Sequence, residues 1–163
     1  FCGSDIGWVV GHSFIVYGPL MQGVTSILFE GKPVGTPDAG TVWRICEKHK
    51  GKHAFNTVNH LYSSPTAIRS IRKEDSEGSF IKSHDLSNLH SVSFAGERCD
   101  IPTYEWLAHQ FPNRFLNDNY WQTESGYLML SNFKNLETFK FKPGSATKPT
   151  PGFKFHIVDE NTG

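Results

Sequence analysis

The chain has no apolar run near the ~18 residues of a membrane-spanning helix, so no membrane partner is expected. It has no excess of either charge. Its 16 basic and 16 acidic side chains cancel, which argues against nonspecific binding to nucleic acid or an anionic surface. Only a local patch survives that arithmetic. Cysteine is scarce: Cys2, Cys46 and Cys99 are odd in number and lack framework spacing, which fits a reducing compartment better than a disulfide scaffold. There is no internal repeat, no low-complexity tract and no signal-peptide pattern. The opening Phe1-Cys2-Gly3-Ser4-Asp5 reads as the middle of a domain, and Asn161-Thr162-Gly163 as a turn. A piece of a longer protein is therefore expected. Its 163 residues suffice for one domain with a sizeable core.

What the chain does have is alternation of element types. Gly3-Ser4-Asp5 is an N-cap signal for a helix over 6–23, interrupted by glycines at 7, 11 and 18 and ended by Gly23. Thr25 to Glu30 reads as a buried strand stopped by Gly31-Lys32-Pro33. Val42, Ile45 and Cys46 recur at helical spacing before the basic Lys48-His49-Lys50. Thr57 to Tyr62 is a strand candidate, broken by Ser63-Ser64-Pro65, and Ala67 to Arg72 starts a helix. Residues 73–88 read as a solvent-facing helix end and connection. His90 to Ala95 is a strand, and Ile101 to Phe111 a helix with Pro102 in its first turn. Phe115 and Leu116 lead into a further strand end. Residues 131–152, with Lys134, Lys140 and Lys142, predict loop with short strands, and Phe153 to Val158 a last strand. Strand–helix alternation of this kind means βαβ units: an α/β fold with a largely parallel sheet and flanking helices. Ligands of such sheets sit beyond the carboxyl ends of the strands. Gly96-Glu97-Arg98 and the run from Asp118 both follow predicted strands, so both belong at that edge.

The most unusual stretch is Asp118-Asn119-Tyr120-Trp121-Gln122-Thr123-Glu124-Ser125-Gly126. Two aromatics are followed at once by an amide, a hydroxyl, a carboxylate and a glycine. A core strand has no need of that polar run. A loop at a strand end does, if it must stack a flat ring and hold charge. An aromatic offers the stacking face, Thr123 a hydroxyl for a phosphate oxygen, and Glu124 a hard oxygen ligand for magnesium. On local chemistry alone the stretch also reads as a surface loop with two half-buried aromatics.

Taken together, the segments resemble the AMP-forming acyl-CoA synthetases, specifically the short-chain acetyl- and propionyl-CoA synthetases. The matching segments keep their order over nearly the whole chain. They are Ser4-Asp5-Ile6-Gly7-Trp8-Val9-Val10-Gly11-His12-Ser13, Tyr17-Gly18-Pro19-Leu20 and Phe29-Glu30-Gly31, then Pro65-Thr66-Ala67-Ile68-Arg69, Gly96-Glu97, Tyr120-Trp121-Gln122-Thr123-Glu124 and Lys142-Pro143-Gly144-Ser145-Ala146-Thr147. Ala95-Gly96-Glu97-Arg98-Cys99-Asp100 looks like the propionyl-CoA synthetase branch; acetyl-CoA synthetases usually have proline where Arg98 stands.

The resemblance implies that residues 1–163 are part of the AMP-binding, large N-terminal domain of an adenylate-forming enzyme. It implies an AMP-forming acid–thiol ligase acting on propionate or acetate, using ATP, Mg2+ and coenzyme A, in the cytoplasm or mitochondrial matrix. It places Gly96, Glu97 and Arg98 on the adenine side and Asp118, Asn119, Tyr120, Trp121, Gln122 and Thr123 in the nucleotide loop. Thr123 and Glu124 carry the catalytic role, with Glu124 as metal ligand. Trp121 walls off a short acyl pocket that Val9, Val10 and Ala95 complete, and Val10 also lies near the coenzyme A channel. An alternative implied reading is a catalytically silent relative that binds nucleotide and serves regulation or assembly.

The chain departs from the family in places. Tyr120 stands for the first of a usual Trp pair, and a phenol still stacks. Asn119 replaces a usual Thr or His, and Ser125 a usual Thr whose hydroxyl it keeps. Val10 replaces a threonine and removes a hydrogen bond near the coenzyme. Ala95, where acetyl enzymes often carry valine, enlarges the acyl pocket. The family's Gly/Ser/Thr-rich phosphate loop, ribose-binding aspartate, hinge and C-terminal lysine are not in these 163 residues, so no ligase activity is expected of them alone.

Other constellations have plainer readings. Cys46, His49 and His53 have metal-like spacing but fall on a helix end, where such residues are ordinary. His12 reads as a packed, hydrogen-bonded histidine that could touch substrate. Cys99 has no visible base and is not read as a nucleophile. Trp8, Trp43 and Trp106 read as core or helix-packing residues, and the lysines from 134 to 148 as a solvated loop face.

Overall fold

Three short strands end level with one another, and that row organises the molecule. In the computed structural model, which describes residues 1–32, 34–51, 57–134, 136 and 142–163, β1 is His60–Ser63, β2 Ser91–Phe94 and β3 Phe115–Asp118. Pro33, His53 and Lys140, named above, lie outside the described residues. The strands pair in parallel in the order β1-β2-β3. Ser63 is opposite Phe94 and Phe94 opposite Asp118, so the three carboxyl ends share one edge.

Two helices make the crossovers. α3 (Pro65–Glu74) starts at Ser64, whose side chain accepts from the Ala67 N–H at 3.1 Å, with Pro65 in the first helical position. α5 (Ile101–Gln110) starts the same way at Asp100, which accepts from the Thr103 N–H at 3.0 Å. Each β-turn-α junction is thus written by a capping residue and a proline. The helices bury Ile68, Ile71 and Leu107 against Leu61, Val92 and Phe94 of the sheet. α2 (Thr41–Lys48) adds Val42 and Trp43, and Trp43 is fully buried, in keeping with its reading as a core residue.

The N-terminal helix forms with a defect. Val9 and Val10 lead into a π-helical turn, Gly11–Val16, followed by α1 (Tyr17–Gln22) and the left-handed Gly23. A Cβ at Gly11 would collide with the Ile6 carbonyl, and one at Gly18 with that of Ser13. These glycines are what allow the widened turn, and such π-turns are frequent at functional sites.

Some expectations are corrected. Thr25 to Glu30 joins no sheet among the described residues; Ile27 and Phe29 are half-buried while Leu28 is 74% exposed. Phe153 to Val158 is likewise unpaired and largely exposed. Both carry strand-like side chains, but a strand also needs a partner edge for its backbone groups. The first strand begins at His60 rather than Thr57. Residues 73–88 are not merely a solvent face. Asp75 is buried and accepts from the Ser79 and Phe80 N–H groups at 2.7 and 2.8 Å, opening α4 (Ser79–Ser83), and Ile81 is buried beneath it. Trp8 is 68% exposed rather than core, whereas Trp106 lies against the core and donates to the Ser76 carbonyl at 2.7 Å. The expected short strands after residue 130 are present as the antiparallel pair β4 (Leu130–Ser131) and β5 (Lys148–Pro149).

Candidate active site

The two loops singled out by sequence leave the adjacent ends of β2 and β3 and are bonded to each other. The Asn119 N–H donates to the Phe94 carbonyl at 2.9 Å, continuing the ladder one step past the strand. The Asp118 carboxylate, buried, accepts from the Cys99 N–H at 3.2 Å. Burial pushes the Asp118 carboxyl up to about 6, opposed by the Cys99 and Asn119 N–H groups and then by the Arg98 charge. At neutral pH it is therefore mostly ionised and holds the two loops together.

On the first loop, Gly96 has φ 103° and open space where a Cβ would stand, so a flat ligand can approach the backbone there. Glu97 is held from the neighbouring helix. Thr66 donates its hydroxyl to one Glu97 oxygen, and Arg69 Nη2 lies 3.5 Å from the other. Arg69 Nε also pairs with Asp100 at 2.9 Å. Arg98 reaches the other way, donating from Nε to the Gly144 carbonyl at 3.1 Å. This docks the Lys142-to-Thr147 segment beside the loop. A Cβ at Gly144 would meet that guanidinium, so the contact depends on glycine. Thr66, Arg69 and Gly144 were not singled out by residue chemistry, although all three lie in segments that carried the family resemblance.

The second loop divides by polarity. Asn119 is buried, sharing its amide oxygen with Asn117 Nδ2 at 3.0 Å and with the Ser131 hydroxyl. It braces the loop from within instead of facing solvent. Tyr120 is 46% exposed and meets Phe155 edge-on at 6.0 Å between centroids. Gln122, Thr123 and Glu124 are exposed, and Thr123–Ser125 forms one 3-10 turn ended by Gly126 at φ 66°. Ser125 keeps that turn closed by donating to the Gln122 and Tyr127 carbonyls at 2.7 and 2.8 Å. The hydroxyl kept in place of threonine is thus a brace.

Trp121 turns inward. It packs with Val10 and Ala95 in a small apolar cluster that includes Cys2, Ile15, Tyr62 and Leu128. Three of the four residues assigned to the acyl pocket are therefore brought together; Val9 is half-buried and outside this cluster. Phe14 was missed by sequence reading. Its ring meets Trp121 edge-on at 5.5 Å and stacks on Tyr62 at 4.5 Å and Tyr127 at 5.7 Å. The preceding Ser13 donates to the Gly126 carbonyl at 2.5 Å, tying this helix to the loop. Phe14 and Tyr62 also line a cavity of about 880 Å³, together with Tyr17, Met21 and Tyr127. His12 is exposed and stacks on Tyr17 at 5.6 Å, which corrects its reading as a packed, hydrogen-bonded residue.

No cluster of three His, Cys, Asp or Glu side chains converges among the described residues. The site offers Glu124 with the neighbouring Thr123 hydroxyl as hard oxygen donors. That donor set fits a magnesium ion, which typically takes one or two carboxylates and completes its shell with phosphate oxygens and water. Burial pushes the Cys99 thiol up to about 12, so it is a poor nucleophile. Cys46 is pushed up to about 12 by the same cause.

Comparison with known proteins places this geometry in context. The family model described as AMP-binding enzyme matches residues 1–163. The chain is 46% identical, over 97% of its length and 22% of the relative's, to acyl-CoA synthetase short-chain family member B, mitochondrial, of Dictyostelium discoideum. It is 44% identical, over 97% of its length and 22% of the relative's, to acyl-CoA synthetase short-chain family member 3, mitochondrial, of Homo sapiens. Against a propionate–CoA ligase of Salmonella typhimurium it is 42% identical over its full length and 24% of that protein. The chain thus spans about a quarter of the length of the curated relatives it matches. In fold it superposes with a TM-score of 0.76 on a crystal structure of the anthranilate CoA ligase AuaEII with anthranoyl-AMP, at 22% identity, over 99% of this chain and 28% of that one.

Proposed function

The chain belongs to the AMP-binding enzyme family, and from that premise we propose that it is the adenylate-site portion of a short-chain acyl-CoA synthetase, an AMP-forming acid–thiol ligase that activates propionate or acetate. In the first step a carboxylate oxygen bonds to the α-phosphorus of ATP and the bond to pyrophosphate breaks, giving the acyl-adenylate. In the second the thiol sulfur of coenzyme A bonds to the acyl carbon and AMP leaves. Such chemistry depends on positioning and charge stabilisation more than on covalent help.

In this reading the Gly96–Arg98 backbone receives one face of the adenine and Tyr120 stacks on the other. Gln122 and Thr123 follow the nucleotide toward its phosphates, and the Thr123 hydroxyl donates to a phosphate oxygen. Magnesium, held by Glu124, would neutralise charge shared with the phosphates. Trp121, Val10 and Ala95 bound the acyl group and keep it short, with Val9 beside them. The observation that carries the proposal is the shared edge: the polar loop and the apolar Trp121 cluster meet at the ends of β2 and β3. A nucleotide and a short apolar acid can there lie side by side. Relatives named for short-chain acyl-CoA and propionate support the same substrate class. A cytoplasmic or mitochondrial-matrix setting accords with the mitochondrial names among them. No observation favours the catalytically silent alternative. The 163 residues alone are proposed to be inactive.

The test is carboxylate-dependent ATP–pyrophosphate exchange by the full-length parent protein with acetate, propionate and butyrate. Exchange that prefers propionate is the expected result. Nucleotide binding without exchange on any short acid would overturn the proposal.

A further inference from the structure

The position of Phe14 assigns it a role that its sequence context does not announce. Its ring belongs both to the cluster around Trp121 and to the lining of a cavity that Trp121 does not line. It meets Trp121 at 5.5 Å, inside the cluster with Val10 and Ala95. It also stacks on Tyr62 at 4.5 Å, and both rings line the cavity of about 880 Å³. Trp121, Val10 and Ala95 do not line that cavity, whereas Phe14, Tyr62 and Tyr127 do. Three rings hold Phe14 in place, and the bond from Ser13 to the Gly126 carbonyl fixes the turn that carries it. A rigid ring wedged among rings has little room to swing aside.

We infer that Phe14 is a second, deeper wall of the acyl pocket. It braces Trp121 from behind and separates the pocket from a cavity large enough for a longer apolar chain. The volume falls within the range of small-molecule pockets. Acyl length is then limited twice. Trp121 sets the first limit, and once it is removed Phe14 sets the second. This rests on the reading of Trp121 as the pocket's wall. Phe14 touches no reacting atom; it is a specificity-determining residue that acts through Trp121 and through the space behind it.

The experiment uses the full-length protein and ATP–pyrophosphate exchange with acetate, propionate, butyrate, hexanoate and octanoate. Trp121→Gly should admit butyrate but reach a limit at Phe14. Trp121→Gly combined with Phe14→Ala should raise the octanoate-to-butyrate ratio of kcat/KM by at least about tenfold over Trp121→Gly alone, since each methylene in an apolar pocket discriminates by roughly that factor. Phe14→Leu in the Trp121→Gly background, a smaller truncation, should move the ratio in the same direction. Phe14→Tyr, which keeps the ring, should retain the wild-type length profile. The inference is overturned if the Leu and Ala double variants show the same length profile as Trp121→Gly, or if all acids fall by one common factor. Absence of exchange by the wild-type protein with every acid would sink both this inference and the proposed function. Exchange with a shift in Trp121→Gly but none in the double variants sinks this inference alone.

Discussion

The two sides of the site are held by different forces. The polar side, proposed above to take the adenine, is tied by directional contacts: Thr66 and Arg69 on Glu97, Arg69 on Asp100, Asp118 on the Cys99 N–H, and Arg98 on Gly144. The apolar side, proposed to bound the acyl group, is tied by rings and aliphatic carbons: Phe14 on Trp121, Tyr62 and Tyr127, with Val10 and Ala95 beside them. The difference matches what the proposed function asks of each side. A base and a phosphate chain demand donors at defined positions. A short apolar chain demands only a boundary, and rigid rings make a hard one. Damage to the polar side should therefore register in nucleotide affinity, pH and salt dependence, and damage to the apolar side in chain-length selectivity.

The largest expected effect tests the meeting point of the two. In the full-length protein Glu124→Gln should lower the rate of pyrophosphate exchange by ~100-fold or more, the scale of removing a group that stabilises developing charge. The loss should be similar for acetate and propionate. A change in the acid preference instead would break the division. Next comes Trp121→Gly, which should move the acid preference toward butyrate by about tenfold or more in relative kcat/KM. Its KM for ATP should stay near wild type; a large rise there would mean the indole serves the nucleotide side as well.

Smaller effects are expected where the polar contacts are half-exposed. Arg69→Met frees Glu97 and Asp100 together. The KM for ATP should rise only a few-fold, because exposed ion pairs are weak and screened by salt. The defect should shrink as salt weakens the wild-type contact, and acid preference should not move. The subtlest is Asp118→Asn. Folding raises the Asp118 pKa from 3.8 to about 6. Its contribution to stability is therefore fully present below the unfolded value and lost as pH rises through about 6. Removing the charge should raise Tm at pH 8 relative to wild type more than at pH 4. Function should run the other way. The ionised carboxylate is the better acceptor for the Cys99 N–H, so ATP binding by the wild type should weaken as pH falls through about 6, and Asp118→Asn should flatten that dependence. Titration of ATP binding between pH 5 and 8, alongside thermal melts, checks both.

The βαβ units were legible because their signals are local. Ser64-Pro65 and Asp100 with Pro102 announce helix starts. Val92, Phe94 and Leu116 announce strands that the helices cover. Thr25 to Glu30 and Phe153 to Val158 carry the same kind of strand pattern, yet neither joins a sheet among the described residues. Side-chain alternation marks a segment that can pair, but the hydrogen bonds that make it a strand belong to another stretch of chain. Trp8 shows the same limit for burial: a large apolar residue has no address until something packs on it.

By itself, then, the sequence determined the alternation of elements and the edge at which Gly96 to Arg98 and Asp118 to Glu124 emerge. Caps, prolines and short-range apolar spacing act within a few residues and need no knowledge of the rest of the chain. Only the tertiary structure decided that Asn119 is buried and bonded to Ser131, that Arg69 reaches across to hold Glu97, and that Phe14 meets Trp121 edge-on. Those contacts join residues about 30 positions apart in the case of Arg69 and Glu97, and over 100 apart for Phe14 and Trp121. Arg69 and Glu97 meet because a parallel crossover returns each strand to the same edge, and Phe14 and Trp121 because the N-terminal helix packs on that edge, where side chains distant in sequence come within one van der Waals layer.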